Sequence, residues 1–256
     1  MTAAPCNPTE LWTTQLGTVP YREAVALQET LCALRQQDAV PDVLLLLEHP
    51  PTYTRGRRSQ PGELPQGEEF YRARGVEVID TNRGGRLTYH GPGQLVGYPI
   101  LRERDVLAHV RRMETAIVAA LADEGIAARS RCEEGPDFTG VWVDDRKIAS
   151  IGVHQSRGVT THGFAVNVNN DLEPFSWIIP CGLAGVQMTS VARELAGAPA
   201  APSLDREADG EVYDAFRRYL IDRYCALLGR TARELAPEAL IEVAHSQALP
   251  GGAVAA

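Results

Sequence analysis

Residues 140–168 read GVWVDDRKIASIGVHQSRGVTTHGFAVNV, and the pattern of this stretch decides the fold class. Apolar and β-branched residues concentrate in three short segments, which predict strands over residues 140–143, 147–153 and 162–168. Asp144-Asp145 lies in the first gap and Ser156-Arg157-Gly158 in the second, and both are typical of turns. Because no helix separates these strands, they do not fit a regular β–α–β fold. They favour a mixed or mainly antiparallel sheet.

The flanking sequence adds helices and strands in no regular alternation. Apolar residues at a helical period predict helices over about 20–37, 105–124 and 209–228, with a shorter helix through Val191 and Leu195. Strands are predicted over 42–48, 76–79 and 95–100, whereas the Pro- and Gly-rich residues 49–67 are typical of a long loop. We therefore predict an α+β fold with a mixed, mainly antiparallel sheet packed with helices, forming one domain over residues 10–230. Residues 231–256 are then a C-terminal extension with a disordered end.

Composition excludes several functional classes. The 256 residues carry 25 basic and 33 acidic side chains, a net charge of -8, which argues against a general nucleic-acid binder because phosphate contacts need a basic field. The longest aliphatic run, residues 43–47, is far shorter than the ~20 residues of a membrane span, and the N-terminus has no secretory pattern. Five widely spaced cysteines and six scattered histidines predict neither a disulfide framework nor a metal site. We expect a cytoplasmic protein with reduced thiols and no metal.

Only one basic side chain is a lysine, Lys147; the other 24 are arginine. Genomic composition explains a general preference for arginine, and chance survival of one surface lysine is an alternative. Lysine differs from arginine chiefly because a partly buried ammonium can lose its proton, whereas a guanidinium cannot. The exception therefore favours an acid–base role for Lys147.

Two motifs carry residues suited to chemistry. Residues 83–94 read RGGRLTYHGPGQ, in which glycines let the backbone approach a ligand closely; an ordinary glycine-rich hairpin is the alternative. This motif matches neither a phosphate-binding loop nor a dinucleotide-binding fingerprint. Pro180-Cys181-Gly182 places a thiol before a predicted helix, where exposed amides favour a thiolate. An inert buried cysteine is the alternative there.

Four separated segments together resemble one family. RGGRLTYHGPGQ at 83–94, RKIASIGVH at 146–154, THGFAVNVNNDLEPF at 161–175 and IIPCG at 178–182 are similar to segments of the lipoyl(octanoyl) transferases of protein lipoylation. The resemblance covers roughly residues 10–195 and implies the fold shared with biotin and lipoate protein ligases. It also implies that an octanoyl group passes from octanoyl-acyl carrier protein to a lysine of a lipoyl domain, with no cofactor.

The family's site residues can be carried over by position. Its acyl-thioester cysteine falls on Cys181, and the lysine that lowers the pKa of that thiol falls on Lys147. In the implied mechanism Cys181 takes the octanoyl group, and Lys147 then removes a proton from the acceptor lysine. The implied substrate-binding residues are Arg83, Gly84, Gly85, Arg86, Leu87, Thr88, Tyr89, His90, Ser150, Ile151, Gly152, Gly163, Phe164 and Ala165.

The resemblance also implies partners. Octanoyl-acyl carrier protein is the donor, and the acceptors are lipoyl domains of 2-oxoacid dehydrogenases and a glycine cleavage H-type protein. We expect a monomer that binds neither nucleic acid nor a membrane. Because acyl carrier proteins are acidic, a basic patch is a candidate docking surface, and scattered, solvated arginines are the alternative. The candidate residues are Arg55, Arg57, Arg58, Arg72 and Arg74.

Two other functions stay open at this point. An ATP-dependent lipoate or biotin ligase shares the fold and uses a lysine on the corresponding strand, but it needs no nucleophile such as Cys181. The second alternative is a non-catalytic module that binds an acyl group or its carrier, and a complete Cys181/Lys147 pair disfavours it.

Overall fold

A computed structural model describes residues 9–179, 185–197 and 206–247. Within these ranges the chain forms twelve strands and seven α-helices. The strands are β1 Glu10–Thr18, β2 Asp42–Glu48, β3 Thr52–Arg55, β4 Glu77–Asp80, β5 Thr88–His90, β6 Gln94–Ile100, β7 Arg129–Ser130, β8 Gly140–Val143, β9 Arg146–Ser156, β10 Val159–Asn167, β11 Gln187–Met188 and β12 Thr231–Glu234. The helices are α1 Tyr21–Gln36, α2 Glu68–Arg72, α3 Val106–Asp123, α4 Glu173–Ser176, α5 Val191–Leu195, α6 Arg206–Leu228 and α7 Pro237–Gln247.

The main sheet has the strand order β12-β1-β2-β6-β10-β9-β8-β7, with β11 beside β9. From β2 through β7 every neighbouring pair along this order is antiparallel, whereas β1 pairs in parallel with β2 and β12, and β11 with β9. A second sheet, β4-β3-β5, packs nearby with α2 and α4. The predicted α+β class with a mixed, mainly antiparallel sheet is confirmed.

Helices cover both faces of the main sheet. On one face, α3 and α6 bury a stripe of side chains that includes Ile117 and Phe216 against strand residues such as Val166. On the other face, α1 and α7 pack against the alternate side chains, among them Leu45 and Ala165. Successive strand residues point to opposite faces, so β2 and β10 contribute to both layers. We call these the α3 face and the α1 face.

Several predicted elements are confirmed. The apolar run at residues 42–48 is β2, and the predicted strand at 95–100 lies within β6. The helix predicted over 105–124 is α3, in which the carboxylate of Asp105 accepts the backbone N–H of Ala108 at 2.9 Å as a side-chain cap.

Six of the twelve described strands are missing from the sequence-based prediction: β1, β3, β5, β7, β11 and β12. The buried positions of β1 include Thr13 and Thr14, so its apolar pattern is weak, and its place between β2 and β12 is a non-local feature. The loop predicted over residues 49–67 is wrong at β3, whose four residues lie between Pro50-Pro51 and Gly56. Pairing with both β4 and β5 stabilises this short strand.

The segment after residue 230 joins the sheet and the core. Residues 231–234 form β12 along β1, and Leu240 and Ala244 of α7 pack on the α1 face. The predicted disordered end, from residue 248, lies outside the described residues. Of the helices in the described part of the chain, none combines the length and apolarity that crossing a membrane requires.

Candidate active site

A cavity lies on the α1 face, between the main sheet and the loop that leads into β5. Its floor is the central part of β9 and β10, where Gly152 pairs with Gly163. A Cβ on Gly163 would lie 2.2 Å from the carbonyl oxygen of Gly97, so the neighbouring strand β6 packs closely against this part of the floor. The predicted site residues that line this cavity are Arg83, Gly85, Arg86, Leu87, Thr88, His90, Lys147, Ser150, Ile151, Gly152, Gly163, Phe164 and Ala165.

The glycine-rich loop forms the roof of the cavity. The backbone N–H of Gly84 donates to the carbonyl of Val153 at 2.8 Å, which ties the loop to β9. A Cβ on Gly152 would lie 2.6 Å from the carbonyl oxygen of Gly84, so this approach requires glycine. Arg83 is buried, and its guanidinium donates to the carbonyl and hydroxyl oxygens of Thr54 at 2.6 and 2.8 Å. The glycine-rich loop is therefore tied to β9 through Gly84 and to β3 through Arg83.

A β-bulge aims Lys147 into the cavity. Across β8 and β9, Val141 pairs with Ala149 but Trp142 pairs with Lys147, so Ile148 is an extra residue. In a regular strand Lys147 would share the face of Ala149, which packs on the α3 face. The bulge turns Lys147 to the α1 face instead, where its side chain is 1% exposed and lines the cavity.

The Lys147 side chain lies in a cradle made by β8. Its Nζ is 5.3 Å from the centre of the buried Trp142 indole ring, a cation–π geometry. Gly140 has a φ of 134° and no Cβ, and a Cβ there would lie 2.8 Å from Cε of Lys147. The backbone N–H of Gly140 donates at 2.9 Å to the buried carboxylate of Glu114 on α3, which also accepts the Ser130 hydroxyl. Glu114 on α3 thus holds Gly140 in place, and Gly140 packs against the end of the Lys147 side chain.

Charged side chains surround the mouth of the cavity. Arg86 donates to the buried carboxylate of Glu63 at 3.1 Å and to Asp137 at 3.2 Å. Asp137 also pairs with the exposed Arg58 at 3.0 Å. Glu63 accepts the backbone N–H of Leu87 with its second carboxylate oxygen, so it connects the rim to the roof.

Two buried histidines, His90 and His162, line the cavity, and the ring of a third, His49, lies 5.4 Å from that of His90. Desolvation lowers the pKa of His49 to about 4, and that of His90 well below its usual value, with a further contribution from the neighbouring His49 and Arg83. Desolvation, Arg83 and His154 lower the pKa of His162 to about 3. All three rings are therefore neutral at pH 7.

Both nitrogens of His90 have polar partners. Nδ1 lies 2.8 Å from Oε1 of Gln94, whose amide nitrogen donates to the carbonyl of Tyr89 and to Asn167. Nδ1 therefore carries the proton, and Nε2 faces the hydroxyl of Thr54 at 3.4 Å. Asn167 in turn donates to the carbonyl of Thr189, a residue whose N–H binds the carbonyl of Lys147. This series of hydrogen bonds connects His90 to the backbone of Lys147, not to its amine.

Some predicted residues lie elsewhere. Gly84 and Tyr89 do not line the cavity. Gly84 binds β9, and Tyr89, on β5 of the second sheet, packs with Tyr53 and Phe175. Cys181 lies outside the described residues. Sequence reasoning missed further cavity residues, which come from α1, β6, β10 and the loop before β8: Tyr21, Tyr98, Asp137, Thr139 and His162.

The five candidate docking arginines do not form one unpaired basic surface. Arg55 pairs with Asp80 at 2.7 Å and with Glu68, and Arg72 pairs with Glu69. Arg74 stacks over Phe70 at 3.5 Å. Arg58 pairs with Asp137. Arg57 and Arg74 are exposed and have no ion-pair partner among the described residues. Among those residues, no group of three or more His, Cys, Asp or Glu side chains is placed to hold a metal ion.

The sequence is similar to one family of proteins over most of its length. The family model of the lipoyl protein ligase A/B catalytic domain matches residues 20–207. The octanoyltransferase of Solibacter usitatus is 52% identical over 173 residues, 66% of this chain and 77% of that protein. The octanoyltransferase of Rubrobacter xylanophilus is 45% identical over 210 residues, 80% of this chain and 91% of that protein.

Solved structures show the same fold at low sequence identity. A lipoate-protein ligase A bound with ATP superposes with a TM-score of 0.64 at 19% identity and covers 93% of both chains. A bi-partite lipoate protein ligase from Thermoplasma acidophilum superposes with a TM-score of 0.65 at 18% identity, covering 93% of this chain and 91% of that one. The fold expected from the four sequence motifs is thus found in lipoate protein ligases.

Proposed function

The chain belongs to the lipoyl protein ligase A/B catalytic domain family, and we propose that it transfers an octanoyl group from octanoyl-acyl carrier protein to a lysine of a lipoyl domain through a thioester on Cys181. One observation carries the proposal. The only lysine of the chain is 1% exposed, yet a β-bulge turns it into a cavity that the glycine-rich motif covers. Removing a lysine amine from water costs free energy that a surface position avoids, so this placement supports a chemical role for Lys147.

The first step loads the enzyme. The Cys181 thiolate, favoured by the Lys147 ammonium, attacks the thioester carbonyl of the donor. A new carbon–sulfur bond forms, and the bond to the carrier breaks. The departing carrier thiolate takes a proton from Lys147, which leaves an octanoyl-enzyme and a neutral amine.

In the second step the octanoyl group passes to the acceptor lysine. The incoming lysine is an ammonium in water, and Lys147 takes one of its protons. The free amine then attacks the Cys181 thioester, a carbon–nitrogen bond forms, and Cys181 leaves as a thiolate. The amide nitrogen gives its extra proton to water, so the net reaction releases one proton. Converting a thioester into an amide is downhill, which is why neither step needs a nucleotide.

The residues that flank Cys181 support its pairing with Lys147. Ile178 and Met188, on either side of residues 180–184, pack in the same apolar cluster, and Met188 pairs directly with Lys147. The N–H of Ile179 donates to the carbonyl of Glu63, whose carboxylate binds the rim. Cys181 is two positions after Ile179, which corresponds to at most about 7 Å of extended chain.

The proposed partners follow from the same chemistry. An acidic carrier that delivers an acyl chain to this mouth approaches Arg58, an exposed arginine at the rim, and its exposed neighbour Arg57. The acceptor presents a single lysine, as a lipoyl domain does. We propose these partners from the family and from the rim, with the chain acting in the cytoplasm.

The proposal is tested by comparing two acyl sources. The protein is incubated with a purified lipoyl domain and either octanoyl-acyl carrier protein or octanoate with ATP. We expect octanoylation of the lipoyl domain from the carrier thioester without nucleotide. Octanoylation that depends on ATP, with octanoyl-adenylate as an intermediate, would instead identify an acyl ligase, and no transfer from either source would identify a binding module.

A further inference from the structure

One of the rings that line the cavity, that of His162, carries a buried nitrogen with no hydrogen-bond partner among the described residues. His162 is 3% exposed and lines the cavity. Its Nε2 lies 2.7 Å from Oδ1 of Asn82, whereas no described residue offers a partner to Nδ1. Because the ring is neutral and Nε2 donates to an amide oxygen, Nδ1 carries a lone pair. Buried acceptors are almost always satisfied in folded proteins, so this atom needs an explanation.

An unusual backbone conformation places the ring there. His162 has a φ of 57°, although it is not glycine and lies within β10. In a regular strand it would share the α3 face with Phe164, two residues on. Instead its N–H binds Oε1 of Gln28 on α1 at 2.7 Å, and its ring faces Tyr98 across 6.1 Å. Strain of this kind persists where the surrounding structure or a function requires it.

Lys147 and the His162 ring both line the cavity. The β9 residue opposite His162 is Val153, while Lys147 stands at the start of the same strand. Counting the bulge, about five strand steps or ~17 Å separate the two positions. Ser150, Ile151 and Gly152 line the cavity between these two positions, so an octanoyl chain that starts beside Lys147 and follows these residues extends toward His162.

We propose that His162 is a specificity-determining residue that limits the length of the acyl chain through its Nδ1. With octanoyl in the cavity, a water molecule donates to Nδ1 beyond the methyl end. A longer apolar chain displaces that donor and leaves the buried acceptor unsatisfied, which lowers kcat/KM by about tenfold. This inference rests on the proposed function, because it requires the acyl chain to start at Lys147.

The proposal predicts that a chain of the same greater length is accepted if its end can donate a hydrogen bond. Decanoyl and 9-hydroxynonanoyl groups have equal numbers of chain atoms, but only the second ends in a hydroxyl. Its hydroxyl replaces the water as the donor to Nδ1. A purely steric limit would reject both groups equally, so this pair of substrates separates hydrogen bonding from size.

The experiment measures kcat/KM of the full chain for octanoyl, decanoyl and 9-hydroxynonanoyl carrier thioesters. We expect the wild type to favour 9-hydroxynonanoyl over decanoyl by about tenfold, and His162→Leu to lose that preference. His162→Gln, which keeps a polar group of similar size, should retain most of it. Each ratio is taken within one preparation, so a partly misfolded fraction of a variant cancels.

The outcomes are distinguishable. Equal use of the two longer groups by the wild type, or a preference that survives in His162→Leu, overturns the role of Nδ1 while octanoyl transfer stands. Absence of octanoyl transfer by the wild type overturns the proposed function itself.

Discussion

Replacing Gly140 by alanine tests how the fold holds Lys147. The added methyl group would overlap the carbonyl oxygen of Ala149, a backbone atom, and would lie 2.8 Å from Cε of Lys147. The φ of 134° is also one that side chains rarely adopt. Strain and overlap together cost about 3 kcal/mol, which lowers the Tm of a chain of this size by roughly 6–12 °C.

The same change should affect catalysis more than stability. At 25 °C the variant remains folded, but β8 must move, and the lysine amine moves with it. A displacement of about 1 Å reduces kcat by about 100-fold, because proton transfer requires close alignment. We expect KM for the octanoyl carrier to change little, since Gly140 does not line the cavity.

The assay combines calorimetry with steady-state transfer to a lipoyl domain, and Gly210→Ala is the matched control. Gly210 lies in α6, is exposed, and has no atom within 4 Å of an added Cβ. Alanine there favours the helix by roughly 0.5–1 kcal/mol, so its Tm should stay level or rise and its kcat should not change. A Gly140→Ala protein with wild-type Tm and kcat would refute the claim that Gly140 fixes the position of the Lys147 side chain.

The remaining predictions concern charge and pH. Lys147→Arg keeps the cation but cannot release its proton, so the octanoyl adduct should form while turnover falls by about 100-fold or more in a steady-state assay. Arg57→Glu should raise KM for the carrier several-fold at low salt and less at high salt. If KM changes neither with the substitution nor with the salt concentration, Arg57 has no part in docking the carrier. Burial lowers the pKa of His109 to about 4, below the unfolded value of 6.5, so the unfolded state binds more protons between these pH values and stability falls as the pH drops. At pH 5 this loss is about 2 kcal/mol, and denaturant titrations of His109→Leu should show a difference between pH 7 and pH 5 smaller by that amount.

Local sequence patterns predict the elements of this fold that are continuous and strongly apolar. The run at residues 42–48 and the helical period of α3 are strong signals, and both elements form where they are expected. The β1 strand has buried threonines and depends on neighbours from distant parts of the chain, including β12. No local pattern contains that information.

Residues of the candidate site that belong to a sequence motif were predictable, whereas residues brought to the site by tertiary packing were not. Glycines at 152 and 163 marked the cavity floor because close packing there excludes a Cβ. Tyr21 and Tyr98 reach the cavity from α1 and β6, and their residue types alone carry no such signal. His162 lies beside the predicted Gly163, but its direction depends on a left-handed φ that a strand pattern does not reveal.

The central claim is that Cys181 carries the octanoyl group while Lys147 moves the proton. Intact-mass measurement after incubation with octanoyl-acyl carrier protein tests it most directly, on the wild type, on Cys181→Ser and on the control Cys132→Ser, which changes a partly exposed thiol. We expect one hydroxylamine-labile octanoyl adduct on the wild type and on Cys132→Ser, and none on Cys181→Ser. A thioester adduct that still accumulates on Cys181→Ser contradicts the account.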